Sequence, residues 1–204
     1  MDNLADTQYP IHDLLRSRWS PVAFCEQLVE PEKLRSVLEA ARWAASSYNE
    51  QPWSFIVATK ENPAEFDRLL SCLAEGNQAW AQNASVLMIS VAKLNFERNG
   101  VENRHAFHDV GAAATSMAIE ATALGLYMHQ MAGFDVPKTR EMFSIPEGYE
   151  PVAAIALGYR GDPQTLSEKL QQRELSPRTR KPLEKFVFTG SWNQTSPSVA
   201  NQNA

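Results

Sequence analysis

Apolar residues recur along this chain at two spacings. Leu34, Val37, Leu38 and Ala41 fall on one helical face and predict a helix over 31–45, opened by Pro31. Phe66, Leu69, Leu70 and Leu73 repeat the pattern after Asn62-Pro63, which reads as an N-cap and a first-turn proline. A short helix is expected over 10–17 with Pro10 in its first turn. A long one over 103–126 is rich in small residues, among them Gly111, Ala112, Ala113, Ala114, Ser116, Ala118 and Ala121. Between these patterns lie apolar runs of strand length over 54–59, 84–92, 127–131 and 151–159. The run over 84–92 is the most hydrophobic and reads as a central strand, apolar on both faces. Asp135 is placed to cap a further helix with Val136-Pro137 in its first turn.

This order implies an α+β fold, a sheet between helices. A single domain is expected over 1–190, with a polar, proline-punctuated arm from about Gly161 that crosses the surface or a partner subunit. Residues 191–204 are expected to be a disordered tail. There is no Gly-x-Gly-x-x-Gly after a strand and no Gly-Lys-Ser/Thr loop, which argues against a dinucleotide fold.

The totals narrow the function classes. The chain has 204 residues, enough for one domain with its own core, and is 44% hydrophobic and 21% charged. A net charge of -5 gives no general attraction to nucleic acid or an anionic membrane. No apolar run is long enough to span a bilayer, and the start lacks a signal-peptide pattern. Cys25 and Cys72 are too few for a disulfide framework, so the expected compartment is the reducing cytoplasm.

The richest chemistry lies where the second helix pattern stops and the first strand pattern starts, at Ala44-Ala45-Ser46-Ser47-Tyr48-Asn49-Glu50-Gln51-Pro52-Trp53-Ser54-Phe55. Small residues there let backbone N–H groups approach a flat ligand. Asn49 and Gln51 offer amide donors and acceptors. The plain alternative is a polar helix-to-strand turn. The stretch closely resembles the Ser-Ser-x-Asn-x-Gln-Pro-Trp motif of the FMN-dependent nitroreductase family, oxygen-insensitive NAD(P)H nitroreductase-like flavoproteins.

Residues 16–24 combine positive charge with hydroxyl donors, as a phosphate site requires. They resemble the family's Arg-x-Ser-x-Arg/Lys-x-Phe motif, which places Arg18 and Ser20 on the FMN phosphate and ribityl chain and ends at Phe24. Val22 stands where the family has a basic residue, and Arg16 is a candidate replacement. Arg178 and Arg180 match the family's late basic pair, and on an extended chain they point the same way. A solvated basic run is the alternative for that segment. Residues 130–135 resemble the family's Pro-x-x-Gly-Phe-Asp turn beside the flavin ring, with Gly133 allowing close approach. Gln130 replaces the proline there, and Ala132 stands where classical members carry glutamate. Asn77 is aligned with a family asparagine near the pyrimidine edge of the flavin.

The resemblance implies a mostly antiparallel sheet and an intertwined homodimer with FMN at the subunit interface. It implies NADH or NADPH as donor and a small-molecule acceptor such as a nitroaromatic, quinone or activated alkene. The bond chemistry is then the cofactor's at flavin N5, and no general acid, nucleophile or metal is assigned. The alternatives are a flavin-fragmenting, dehalogenating or dehydrogenating member, or a non-catalytic flavin-binding protein. His105, His108 and Asp109 read as capping or solvated groups rather than a metal site, and Cys25 and Cys72 as packing residues.

Overall fold

The computed structural model describes residues 3–200; the first two residues of the expected domain, and 201–204 of the expected tail, lie outside the described residues. Its sheet has four strands, β1 (Trp53–Thr59), β2 (Val86–Lys93), β3 (Tyr127–Met131) and β4 (Tyr149–Gly158). They run antiparallel in the order β1-β2-β4-β3, so β1 and β3 are the outer strands. This is the α+β architecture that the order of elements predicts, with the antiparallel sheet that the family resemblance implies.

Strand β2 sits at the centre because both of its faces are apolar. Leu87, Ile89 and Val91 point into one core with Phe66, Leu69 and Trp80. Val86 and Met88 point into the other with Val37, Ala41, Ala113, Met117 and Ala121. Successive side chains alternate across a strand, so one apolar run serves two layers. Burying each large side chain contributes about 1.5–3 kcal/mol, which is why this run dominates the fold.

Among the described residues there are seven α-helices: α1 (Asp13–Ser17), α2 (Pro31–Arg42), α3 (Pro63–Leu70), α4 (Glu75–Ala81), α5 (Ala106–Ala123), α6 (Val136–Met142) and α7 (Glu168–Leu175). Helix α1 starts after Pro10, because His12 caps it by accepting from the Leu14 N–H. Helix α5 starts at Ala106, because the Asn103 side chain accepts from the His105 N–H and holds 103–105 as a turn. Asn62 and Asp135 cap α3 and α6 as expected, each accepting from the N–H three residues on. Two short helices, α4 and α7, are absent from the sequence-based expectation. No helix among the described residues is long and apolar enough to cross a membrane.

Residues 23–25 run against 159–161, which fixes the segment that precedes them. The Gly161 N–H donates to Ala23 O and the Cys25 N–H to Tyr159 O, at 2.8 and 3.1 Å. A Cβ at Gly161 would fall 2.5 Å from Phe24 O, so only glycine allows this approach. At the other end of the arm, residues 187–196 turn back on themselves. The Thr189 N–H donates to Gln194 O, and the Ser196 N–H to Val187 O.

Candidate functional site

The basic residues from the two ends of the sequence meet. Arg18, Ser20, Arg178 and Arg180 line one pocket of about 240 Å³, together with Trp19, Val22, Arg173, Glu174 and Ser176. Arg18 Nη1 donates to Ser20 Oγ at 3.5 Å. Arg178 ties the segment down. Its Nη1 donates to Asn3 O and Arg16 O at 2.8 and 3.1 Å, and its Nη2 to Arg18 O at 2.7 Å. Arg180 Nη1 donates to Thr179 O.

These like charges disfavour one another. Burial, and next the Arg180 guanidinium, lowers the pKa of Arg18 from its ordinary value. Burial, then Arg18 and Arg180, does the same to Arg178. A cluster of cations held together by the fold gains stability from an anion. Guanidinium forks and hydroxyls are the donor set that suits a phosphate.

Val22 departs from the family motif for a visible reason. Its side chain is 1% exposed and belongs to the core beside Phe24 and Trp80. Its N–H donates to Glu174 Oε2 at 2.7 Å, and the Ala23 N–H lies 3.4 Å from the same oxygen. A basic side chain there would carry charge into the core. Arg173, next to Glu174 on α7, places the additional guanidinium among the pocket's walls, whereas Arg16 contributes its carbonyl to Arg178. Arg173 and Glu174 belong to no motif in the sequence. Their only sequence signal is a charged pair in a polar helix.

The loop over 46–52 is built differently. Tyr48, Asn49 and Gln51 all have positive φ, at 54°, 56° and 50°. Non-glycine residues seldom adopt this conformation, so surrounding contacts must hold it. The Gln51 N–H donates to Ser46 Oγ at 3.0 Å, and Gln51 Nε2 to Asn49 O at 2.9 Å. The Ser47 N–H donates to Asp109 Oδ2 on α5 at 3.0 Å. Glu50 Oε1 accepts from the Glu97 N–H at 2.6 Å. Asn49 and Gln51 are exposed, and Ser46 and Ser47 are half-buried. Asp109, read from the sequence as a capping or solvated group, is thus a buried anchor of this loop.

Asn77 and Gly133 also meet. Asn77 Nδ2 donates to Gly133 O at 2.9 Å, and the Ala74 N–H donates to the same oxygen at 3.0 Å. A Cβ at Gly133 would fall 2.7 Å from Asn77 Nδ2. The close approach that requires glycine is therefore made by Asn77. Ala132, in the place of the classical glutamate, is exposed.

These groups occupy opposite sides of the sheet. The loop over 46–52 leads into β1, while Gly133 follows β3. The arginine pocket is also on the β3 side, where His129 of β3 bonds Pro21 O at 2.7 Å. Two strands separate β1 from β3, and three inter-strand spacings amount to about 14 Å.

The family model described as Nitroreductase family matches residues 15–159. The chain belongs to that family. The match spans the Arg18 segment, the loop over 46–52, Asn77 and Gly133. This nitroreductase-family chain is similar to a solved structure described as an oxidoreductase containing FMN. The two are 34% identical, the likeness covers 93% of this chain and 96% of the other, and the TM-score is 0.88. A nitroreductase family protein from Clostridium difficile 630 is 26% identical, with 88% and 97% covered and a TM-score of 0.68. An uncharacterized 15.4 kDa protein in the ask 5′ region of Mycolicibacterium smegmatis is 39% identical over 127 residues, 62% of this chain and 84% of that protein.

Proposed function

We propose that this nitroreductase-family protein is an FMN-dependent oxidoreductase that works as a homodimer. The observation that carries the reading is the meeting of Arg18 and Ser20 with Arg178 and Arg180 in one pocket. Nothing in local sequence requires segments so far apart to gather charge, and burial with mutual repulsion makes Arg18 and Arg178 costly to hold beside Arg180. The FMN phosphate suits that donor set. The half-buried Ser46 and Ser47 and the exposed Asn49 and Gln51 suit the edge of a planar ring.

These two halves lie on opposite sides of the sheet, so we assign them to different copies of the chain. One protomer supplies the arginine pocket with Asn77 and Gly133. The partner supplies the loop over 46–52, anchored by Asp109. The exposed side of α5 at Gly111 and Thr115 and the arm after Gly161 suit an extensive contact between copies. Each chain would then contribute to two equivalent sites, as two-fold symmetry demands.

Bound FMN would supply two-electron chemistry, carrying hydride from NADH or NADPH to a nitroaromatic, quinone or activated alkene in a ping-pong scheme. The protein's own part is orientation and electrostatics. The arginines and Ser20 fix the phosphate end. The strained loop presents the Asn49 side-chain amide from a backbone that its own hydrogen bonds already fix. Preorganised donors of this kind stabilise developing charge more than mobile ones do.

A visible spectrum of the purified protein, chromatography of the released cofactor, and anaerobic titration with NADH and NADPH test the reading. Released FMN and bleaching of the flavin band are expected. FAD, or no binding on reconstitution with FMN, would overturn it. Light scattering at micromolar concentration is expected to give a dimer, and a flavin-loaded monomer would refute the shared site.

A further inference from the structure

His129 is buried between the two walls of the arginine pocket and touches both. Its Nδ1 is 2.7 Å from Pro21 O, and a carbonyl can only accept, so Nδ1 carries the proton. In the neutral ring Nε2 is then an acceptor, and Arg173 Nη2 lies 3.4 Å from it. Trp80 covers the ring, with centroids 4.6 Å apart. One imidazole thus links the 18–22 segment, through Pro21, to α7, through Arg173.

We propose that Arg173 is a phosphate-binding residue of this pocket and that neutral His129 is the residue that positions it. The proposal rests on the reading of the pocket as the FMN phosphate site. It fills the charge that Val22 lacks with a residue from a different part of the chain. Glu174 supports the same arrangement, since it holds the Val22 and Ala23 N–H groups while its neighbour Arg173 lines the pocket.

The link works in one protonation state. Protonated His129 would donate from both nitrogens, and Nε2 would face the Arg173 guanidinium as a second cation. The charged group that faces the ring is Arg173 of α7. Glu174 of α7 and Arg18 of the opposite wall line the adjoining pocket, and Arg160 Nε is 3.8 Å from Glu174 Oε1. Burial is the largest influence on His129 and lowers its pKa. The Pro21 carbonyl opposes that, Arg173 lowers it further, and the Ser20 backbone raises it. The neutral form therefore prevails at pH 7, and acid dismantles the link.

The test compares FMN and riboflavin binding to apo-protein by quenching of flavin fluorescence, from pH 5 to pH 8. The proteins are wild type, Arg173→Gln, Arg173→Lys and His129→Phe. Losing a charge-assisted phosphate contact should weaken FMN binding by roughly tenfold to a hundredfold in Arg173→Gln. Riboflavin has no phosphate, so its affinity should not change. Arg173→Lys should recover part of the loss. The ratio of wild-type to Arg173→Gln affinity cancels the titration of the FMN phosphate itself. That ratio should fall towards one as pH drops below 6.5, and His129→Phe should bind FMN like acidified wild type.

Equal losses for FMN and riboflavin, or no loss, would overturn the role of Arg173. A ratio that stays constant while the His129 ring, followed by NMR, takes up its second proton would overturn the role of His129, even if His129→Phe fails to fold. Wild type that binds neither flavin would refute the functional reading instead. Calorimetry with inorganic phosphate then decides the Arg173 assignment, by whether Arg173→Gln binds it more weakly than wild type.

Discussion

The backbone N–H of Ser47 donates to Asp109 Oδ2 at 3.0 Å, joining the loop before β1 to the first turn of α5. Asp109 is 2% exposed, and His108 Nδ1 is 3.1 Å from its other oxygen. The bond spans 62 positions of sequence. It steadies a loop in which Tyr48, Asn49 and Gln51 hold left-handed conformations.

Asp109→Ala should therefore do two things. Leaving a partly buried N–H unpaired destabilises by about 1–3 kcal/mol, measurable as a lower urea midpoint. It should also release the loop, seen as faster hydrogen exchange of the Ser47 and Asn49 amides. Asp109→Asn keeps an acceptor oxygen of the same reach and should lose much less. Equal stability of the Ala variant and wild type would show that the loop is held by its other contacts.

Gly133→Ala probes the opposite side of the sheet. The new methyl would sit 2.7 Å from Asn77 Nδ2, the free end of a side chain that can swing away. Moving it breaks the 2.9 Å bond to Gly133 O, so the expected loss is about 1 kcal/mol. In an Asn77→Ala background the obstacle is gone. A double-mutant cycle should then show that Gly133→Ala is almost neutral there. Additive losses would mean that something other than Asn77 requires the glycine.

Much of this architecture is legible in the sequence because its signals are local. The doubly apolar run at Val86–Lys93 can only be central, and Asn62 and Asp135 announce their helices by side-chain chemistry within one turn. The loop over 46–52 is recognisable because its polar groups are contiguous. Helix α7 is not, because its value lies in distant partners. Glu174 is a charged residue in a polar stretch until it meets Val22, 152 positions away. His129 likewise reads as one more strand residue until Pro21, 108 positions distant, and Arg173 converge on its two nitrogens. Helix α4 is only seven residues long, too short for periodicity to show.

The burial of His129 has a consequence for stability in acid. Its folded pKa lies below the ordinary 6.5, so the unfolded chain binds more protons between those two values. Stability rises with pH wherever the unfolded state holds more protons. The contribution of His129 is thus complete above about pH 6.5 and is lost as pH falls towards its folded pKa. Urea unfolding of wild type and His129→Phe should show a stability difference that shrinks as the solution is acidified from pH 7.5 to 5. A gap that widens in acid would contradict a neutral buried imidazole.

The two halves of the proposed FMN site should separate by kinetics. Arg18 lines the pocket with Arg178 and Arg180, the half of the site proposed for the phosphate, whereas the 46–52 loop is proposed for the ring. Arg18→Ala removes a charge-assisted contact worth on the order of 1.5–3 kcal/mol. FMN affinity should fall by roughly tenfold to a hundredfold, at about 1.4 kcal/mol per factor of ten. Saturating FMN should restore a near wild-type rate of flavin reduction, because the charge acts on the phosphate alone. Asn49→Ala removes an amide from the ring half, so reduction should stay slow even when the site is full. Stopped-flow reduction by NADH or NADPH at saturating FMN distinguishes the two. Unchanged FMN affinity in Arg18→Ala would remove the phosphate from this pocket. Unchanged reduction in saturated Asn49→Ala would leave the strained loop with a structural role only, and the division of the site between two copies of the chain would fall with it.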